Sequence, residues 1–363
     1  MVVSGEFWRE KTVLVTGHTG FKGSWLSLWL SHLGARVAGF GLAPSSSKSN
    51  FVVSRVGERI SPIEGDMCDL HRLKETLAEH RPEIVFHLAA QSLVRPSYAD
   101  PLETFRTNVL GTATVLEAIR QQPTAKAVVI VTSDKCYENR EWFWGYREND
   151  PMGGRDPYSS SKGCAELVTA SFRSSYFHPD DHGRHGIGVA TARAGNVIGG
   201  GDCATDRLIP DILAAHGRSE ELVIRNPAAV RPWQYVLEPL DGYMALAERL
   251  YDDGPAFSEA WNFGPRDGDV LSVEAIANRL GAHLKGGIRY RVVRDAALHE
   301  ATQLTLDCSK ASAKLGWRPR TSVDDALELI ADWQNQLLAE KDMQTVSLGQ
   351  IEAFQSLAQG AER

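Results

Sequence analysis

The chain contains no run of about eighteen apolar residues of the kind that crosses a bilayer. Its first ten residues carry acidic side chains and lack the apolar core of a secretory leader. Neither membrane insertion nor export is expected from such a sequence. Cysteine is sparse and scattered, with five thiols at positions 68, 136, 164, 203 and 308 and no Cys-x-x-Cys pair. That pattern excludes a disulfide scaffold, suggests no metal site, and fits a reducing, cytoplasmic setting. Basic charge is not in surplus either: 39 Lys and Arg against 46 Asp and Glu leave a formal net charge of -7. No electrostatic footprint for nucleic acid follows from that balance, and any anionic ligand must be met by cations gathered locally. There is no internal repeat, and no low-complexity run beyond Ser45-Ser46-Ser47.

What remains is a globular composition, 43% hydrophobic and 23% charged over 363 residues, long enough for two domains of about 100–200 residues each. In the first half, short apolar runs alternate with helical stretches. Lys11–Thr16, Arg36–Phe40, Glu83–Leu88 and Ala127–Thr132 read as strands, with helices at Ser24–Leu33 and near 70–80 and 101–121. The alternation predicts an α/β fold with a doubly wound parallel sheet of Rossmann type, binding its ligands beyond the strand C-termini. The second half is less regular. It offers a strand at Gly186–Arg193, a glycine-rich loop at Gly195–Gly201, a helix near 207–217 and an amphipathic helix at Ser322–Leu338. The expected division assigns 1–190, with a returning segment at about 232–265, to a dinucleotide-binding domain. Residues 191–231 and 266–340 then form a smaller, interleaved C-terminal substrate domain, and 341–363 a C-terminal tail.

The first strand runs directly into Gly17-His18-Thr19-Gly20-Phe21-Lys22-Gly23 and then an apolar helix. Three glycines at this spacing permit a tight turn, close backbone approach to a pyrophosphate, and close helix-to-strand packing. The helix N-terminus adds free amides and the positive end of its dipole. Gly17, Thr19, Gly20, Phe21, Lys22 and Gly23 are therefore the expected cradle of a dinucleotide. Asp66 and Met67, in Gly65-Asp66-Met67, would meet its adenine, although Asp66 or Asp69 serves equally well as a helix cap. The second strand ends Phe40-Gly41-Leu42, without the acidic residue that usually holds the ribose diol of NAD. Lys22 and Lys48 consequently keep NADP open.

Tyr158 and Lys162 stand at spacing i, i+4, which stacks them on one helical face. Asp156 can cap that helix and Pro157 suits its first turn. An ammonium beneath the phenol is expected to lower the tyrosine pKa, so that Tyr158 can take a hydroxyl proton as hydride leaves the same carbon. The strand at 127–132 delivers Ser133, Asp134 and Lys135 to the same end of the sheet. Ser133 can hydrogen-bond the reacting oxygen, Asp134 can act as an acid, and Lys135 as a base if it is partly neutral. A surface Tyr-Lys pair and a structural Asp134–Lys135 ion pair are the plainer alternatives. His87 reads as a satisfied core histidine. Cys136, next to Lys135, is open to activation as a thiolate.

Several motifs occur together. Thr16 to Gly23, His87-Leu88-Ala89-Ala90-Gln91, Thr107-Asn108-Val109-Leu110-Gly111-Thr112 and Tyr158 to Lys162 resemble the extended short-chain dehydrogenase/reductases. Thr132 to Tyr137, Arg193 to Asp202 and Arg231-Pro232-Trp233-Gln234 narrow the resemblance to the CDP-glucose 4,6-dehydratases, from about residue 8 to about 335. The resemblance implies bound NAD and a CDP-glucose substrate. It also implies a hydro-lyase cycle of C4 oxidation, C5/C6 elimination and hydride return to C6. Ser133, Asp134, Lys135, Tyr158 and Lys162 would be catalytic. Leu88, Ala89, Ala90 and Asn108 would join the cofactor site, and Gln91, Arg193, Asn196, Arg207, Arg231 and Trp233 the substrate site, with Arg95 a further candidate cation. Lys135 departs from the glutamate of the related dTDP-glucose enzymes. A homodimer or homotetramer and a place in deoxysugar synthesis for bacterial surface polysaccharide, such as the O-antigen of lipopolysaccharide, are also implied. A nucleotide-sugar 4-epimerase or dehydrogenase on the same fold, and a non-catalytic dinucleotide-sensing regulator, are the competing readings.

Overall fold

The computed structural model describes residues 3–293 and 304–360. Its strands are β1 (Thr12–Thr16), β2 (Arg36–Gly41), β3 (Ser61–Glu64), β4 (Ile84–His87), β5 (Ala127–Val131), β6 (Gly188–Ala194), β7 (Asn196–Ile198), β8 (Leu222–Ile224), β9 (Val230–Tyr235), β10 (Ala260–Phe263), β11 (Val270–Ser272) and β12 (Tyr290–Val292). Seven of them form one parallel sheet in the order β10-β6-β5-β4-β1-β2-β3. The order reverses between β1 and β4, the switch point at which a doubly wound sheet opens a crevice.

Helices cover both faces, so the central strands are buried throughout and read as continuous apolar runs. Val129 and Val131 of β5 point into one core with Trp25, Trp29, Leu240 and Tyr243, whereas Val128 and Ile130 point into another with Leu73, Leu77, Leu116 and Ile119. Each such side chain contributes about 1.5–3 kcal/mol on burial. β3 was not visible in the sequence because Ser61-Pro62-Ile63-Glu64 is a polar, largely exposed edge. The helical run at 101–121 also differs from one plain helix: a π-helical stretch, Arg106–Leu110, interrupts it and contains Asn108.

β6 stays in the large sheet to Ala194, while β7, β9 and β11 form a small sheet beside it and β8 pairs with β12. Residues 343–360, expected as a tail, form a helix, Met343–Gly360. Phe354 packs edge-on against Trp29 at 5.7 Å, Trp333 Nε1 donates to Ser347 Oγ at 3.0 Å, and Tyr235 donates to Gln350 at 2.7 Å. Among the described residues no helix is long and apolar enough to cross a membrane.

Candidate functional site

A cleft of about 590 Å³ lies at the C-terminal ends of β1, β4, β5 and β6. One wall is the glycine turn. Gly17 sits at φ +72°, and a Cβ there would come within 2.7 Å of the Ala89 backbone; a Cβ on Gly23 would lie 2.1 Å from Gly17 O. Only glycine allows this approach across the switch point. The helix Phe21–His32 begins at Gly20 with no side-chain cap, so its first amides remain donors for an anion. Thr19, Phe21, Lys22, Asp66, Met67, Leu88, Ala89 and Ala90 line the same cleft, as does Leu42 at the uncharged end of β2. The two aspartates divide their work: Asp69 caps the next helix by accepting from Arg72 N, and Asp66 accepts from Cys68 N and pairs with Arg106 at 2.5 Å.

The second wall is the helix Pro157–Ser175, capped by Asp156, which accepts from Ser159 N at 2.9 Å. Tyr158 and Lys162 are 7% and 6% exposed. The Tyr158 phenol is pushed up to about 12 by burial, opposed by the Ser133 hydrogen bond and the Arg207 charge. This reverses the direction expected from the Tyr-x-x-x-Lys spacing, because Lys162 donates to Val131 O at 3.3 Å and burial dominates the phenol. Burial also lowers Lys162 to about 8, with Glu166 opposing. Ser133 Oγ donates to Asp134 Oδ1 at 2.9 Å, and the Asp134 carboxylate is buried. Lys135 Nζ stands 3.8 Å from that carboxylate with 32% of its side chain exposed, so the burial its role as a base called for is incomplete. Lys22 reaches into the same space, 3.4 Å from Tyr243 OH, and is lowered to about 7 by burial and then by Lys162 and Arg207.

Asn196, Arg207, Arg231 and Trp233 line the far side of the cleft, as does Arg95. Arg207 donates to Asp202 at 3.3 Å and to Ser92 O and Oγ at 3.1 Å, tying the segment after β7 to the loop after β4. Trp233 also donates to Leu271 O at 3.0 Å, so it is both core and cleft wall. Three expected residues stand outside the lining. Gln91 turns back on Leu93 and Thr104; Asn108 donates to Gln91 O and Ser161 Oγ at 2.9 and 2.8 Å; Arg193 is buried against Glu166. Sequence reasoning gave no role to Glu166, Ser92, Asp202 or Asp206; only Asp202 belongs to a quoted motif, as the last residue of Arg193 to Asp202. His87 is held by Thr16 and Thr112 and kept neutral by burial, at about 3. The Cys136 thiol is pushed well up by burial, which argues against an activated thiolate.

A family model described as GDP-mannose 4,6 dehydratase matches residues 14–330. The chain belongs to the GDP-mannose 4,6-dehydratase family. Within it, this chain is 51% identical to a CDP-glucose 4,6-dehydratase of Salmonella typhimurium, over 98% of the chain and 99% of the relative. It is 26% identical to a dTDP-glucose 4,6-dehydratase of Xanthomonas campestris pv. campestris, over 89% and 92%. Among solved structures, MoeE5 in complex with UDP-glucuronic acid and NAD aligns with a TM-score of 0.74 at 27% identity, covering 90% of this chain and 99% of that one. A UDP-glucose 4-epimerase of Thermotoga maritima aligns with a TM-score of 0.75 at 23% identity, over 90% and 99%, and shares the fold of this family member.

Proposed function

We propose that this family member is a CDP-glucose 4,6-dehydratase, converting CDP-D-glucose to CDP-4-dehydro-6-deoxy-D-glucose and water. The observation that carries the reading is a serine, an acid, a lysine and a Tyr-Lys pair brought into one cleft beside a glycine turn, in a chain 51% identical to an enzyme of that name. NAD fits the cofactor wall: the uncapped amides at Phe21–His32 and the close Gly17–Ala89 approach leave a cradle for a pyrophosphate, and the cleft continues from there to Tyr158. NAD bound there would supply the acceptor for the C4 hydride and the store from which C6 receives it.

The chain's own groups do the rest. Tyr158, within reach of Ser133, takes the proton of the 4-hydroxyl, and Ser133 holds the oxygen that becomes the ketone. Lys162, one helical turn beyond Tyr158, would hold the cofactor ribose. The ketone acidifies the C5 proton, which Lys135 removes while Asp134 gives its proton to the departing 6-hydroxyl; Lys135 then returns a proton, exchanged with solvent, to C5 as the hydride reaches C6. Gly17 to Gly23, Asp66, Met67, Leu88, Ala89 and Ala90 hold the cofactor; Asn196, Arg207, Arg231 and Trp233 hold the CDP moiety. Asn108 and Gln91 act behind the wall by fixing the loop after β4. On this reading the first lobe binds cofactor, the second binds substrate, and the enzyme is cytoplasmic. Leu102, Leu110 and Leu167, exposed on the helices at 101–110 and 157–175, support a homodimer or homotetramer.

Incubation with CDP-glucose in deuterated water, followed by mass spectrometry, tests the assignment, with dTDP-glucose and GDP-mannose as controls. Loss of one water with one solvent deuteron gained, from CDP-glucose alone, is expected. A product of unchanged mass would indicate an epimerase, and no reaction with added NAD would indicate a sensor.

A further inference from the structure

Glu166 lies one turn beyond Lys162 and two beyond Tyr158, on the same face of the helix Pro157–Ser175. It is 5% exposed and grips Arg193 through two parallel bonds of 2.8 Å, Nε to Oε1 and Nη2 to Oε2. The pair does not stop at itself. Thr132 donates to Glu166 Oε1 at 2.5 Å, and Thr191 to Oε2 at 2.7 Å. Arg193 Nη1 donates to Tyr137 OH at 2.6 Å and to Glu148 O at 3.0 Å. Thr132 and Tyr137 are the two ends of the turn that carries Ser133, Asp134 and Lys135.

We propose that Glu166 and Arg193 are positioning residues that dock the turn carrying Ser133 and Asp134 onto the helix carrying Tyr158 and Lys162. Stability alone is a weak reason for such a pair, since a buried ion pair is often replaceable by apolar residues at no loss. Geometry is a better one. The oxidation uses the helix groups and the elimination uses Asp134 on the turn, so their mutual placement decides whether the two halves of the cycle are matched. A displacement of about 1 Å costs on the order of a hundredfold in rate.

Removing either charge strands the other in the core, and such variants risk not folding. Thr132→Val instead cuts one tether, and Tyr137→Phe cuts the other together with the bond from Tyr137 OH to Asn262 Oδ1 at 2.8 Å; both leave the ion pair whole. In the free protein, hydrogen exchange at the amides of Lys135, Cys136 and Tyr137 is expected to quicken about tenfold or more in the double variant, with β5 unchanged. Unchanged exchange overturns the docking role. The kinetic arm rests on the dehydratase reading. With CDP-glucose and NAD, turnover should fall about tenfold or more at unchanged KM, reduced-nicotinamide absorbance should accumulate because elimination lags oxidation, and Thr132→Ser should restore the wild-type partition. A partition and turnover equal to wild type overturn the proposal even if exchange has quickened. Should the wild-type protein fail to turn over CDP-glucose, the functional reading fails, and the exchange result alone decides the docking.

Discussion

Lys162→Met tests whether the site is built at the expense of the fold. The wild-type side chain is 6% exposed, its ammonium donates only to Val131 O among the described groups, and burial brings it from 10.5 to about 8. At about 1.4 kcal/mol per pH unit that gap corresponds to roughly 3 kcal/mol of penalty on the charged form in the folded chain. The penalty is full below about pH 8, where folded and unfolded chains both hold the proton. Between 8 and 10.5 the unfolded chain holds more protons than the folded one, so stability rises with pH; above 10.5 the penalty is gone. Methionine fills a similar volume without charge, and orphaning Val131 O returns about 1 kcal/mol. The variant should therefore gain about 2 kcal/mol at about pH 7, lose that gain by about pH 10, and lose turnover at both. Urea unfolding of the cofactor-free protein at the two pH values measures it. A variant less stable than wild type at neutral pH, or a gain that does not change with pH, would refute the reasoning.

Asp134→Asn keeps the shape and removes the acid, so dehydration should fall by about 10²–10⁴ while C4 oxidation persists; a loss under about threefold in the deuterium assay would remove Asp134 from its role. Gly23→Ala places a Cβ 2.1 Å from Gly17 O, so the turn must open. NAD affinity by calorimetry should drop at least about tenfold and the melting temperature should fall, and an unchanged variant would contradict the packing argument. Lys22 at about 7 and Lys162 at about 8 should both rise when an anionic nucleotide enters the cleft. Calorimetry in buffers of different ionisation enthalpy should then show uptake approaching about one proton near pH 7.5, and equal heats in all buffers would deny the coupling.

The sheet was legible because its central strands are buried on both faces and so announce themselves as apolar runs; β3, a polar edge held by pairing alone, carries no such signal. The helix Met343–Gly360 escaped notice because its apolar residues are diluted by glycine, serine and glutamine, and its burial depends on Trp29 and Trp333, far away in the chain. In the site, the glycine turn and the Tyr-Lys pair are local in sequence, and the cleft gathers both. Arg193 is the opposite case. The resemblance put it with the substrate, but its carboxylate partner stands 27 residues earlier, a distance no spacing rule covers. The Tyr158 phenol shows the same gap for energetics: spacing names Lys162 as its cationic neighbour, but in the fold burial raises the phenol against Ser133 and Arg207.

The helix Phe21–His32 joins these two sides of the molecule. Its first turn offers uncapped amides and Lys22 to the cleft, in a chain of net charge -7 that nonetheless sets Lys22, Lys162 and Arg207 close together. Burial disfavours the charge on both lysines, with Lys162 and Arg207 adding to it at Lys22, and a penalty of roughly 3 kcal/mol at Lys162 is a sizeable part of the 5–15 kcal/mol that typically holds a domain. Further along that helix, Trp25 and Trp29 are both fully buried, with Trp25 donating to Gly200 O at 2.9 Å and Trp29 packed against Phe354. A buried aromatic removes about 150–250 Å² from water, worth roughly 4–6 kcal/mol at about 25 cal/mol per Å². Among the described residues no hydrogen bond or ion pair joins the C-terminal helix to the cleft lining, yet by packing on Trp29 it adds apolar burial that offsets the cost of the buried lysines at the other end of the molecule.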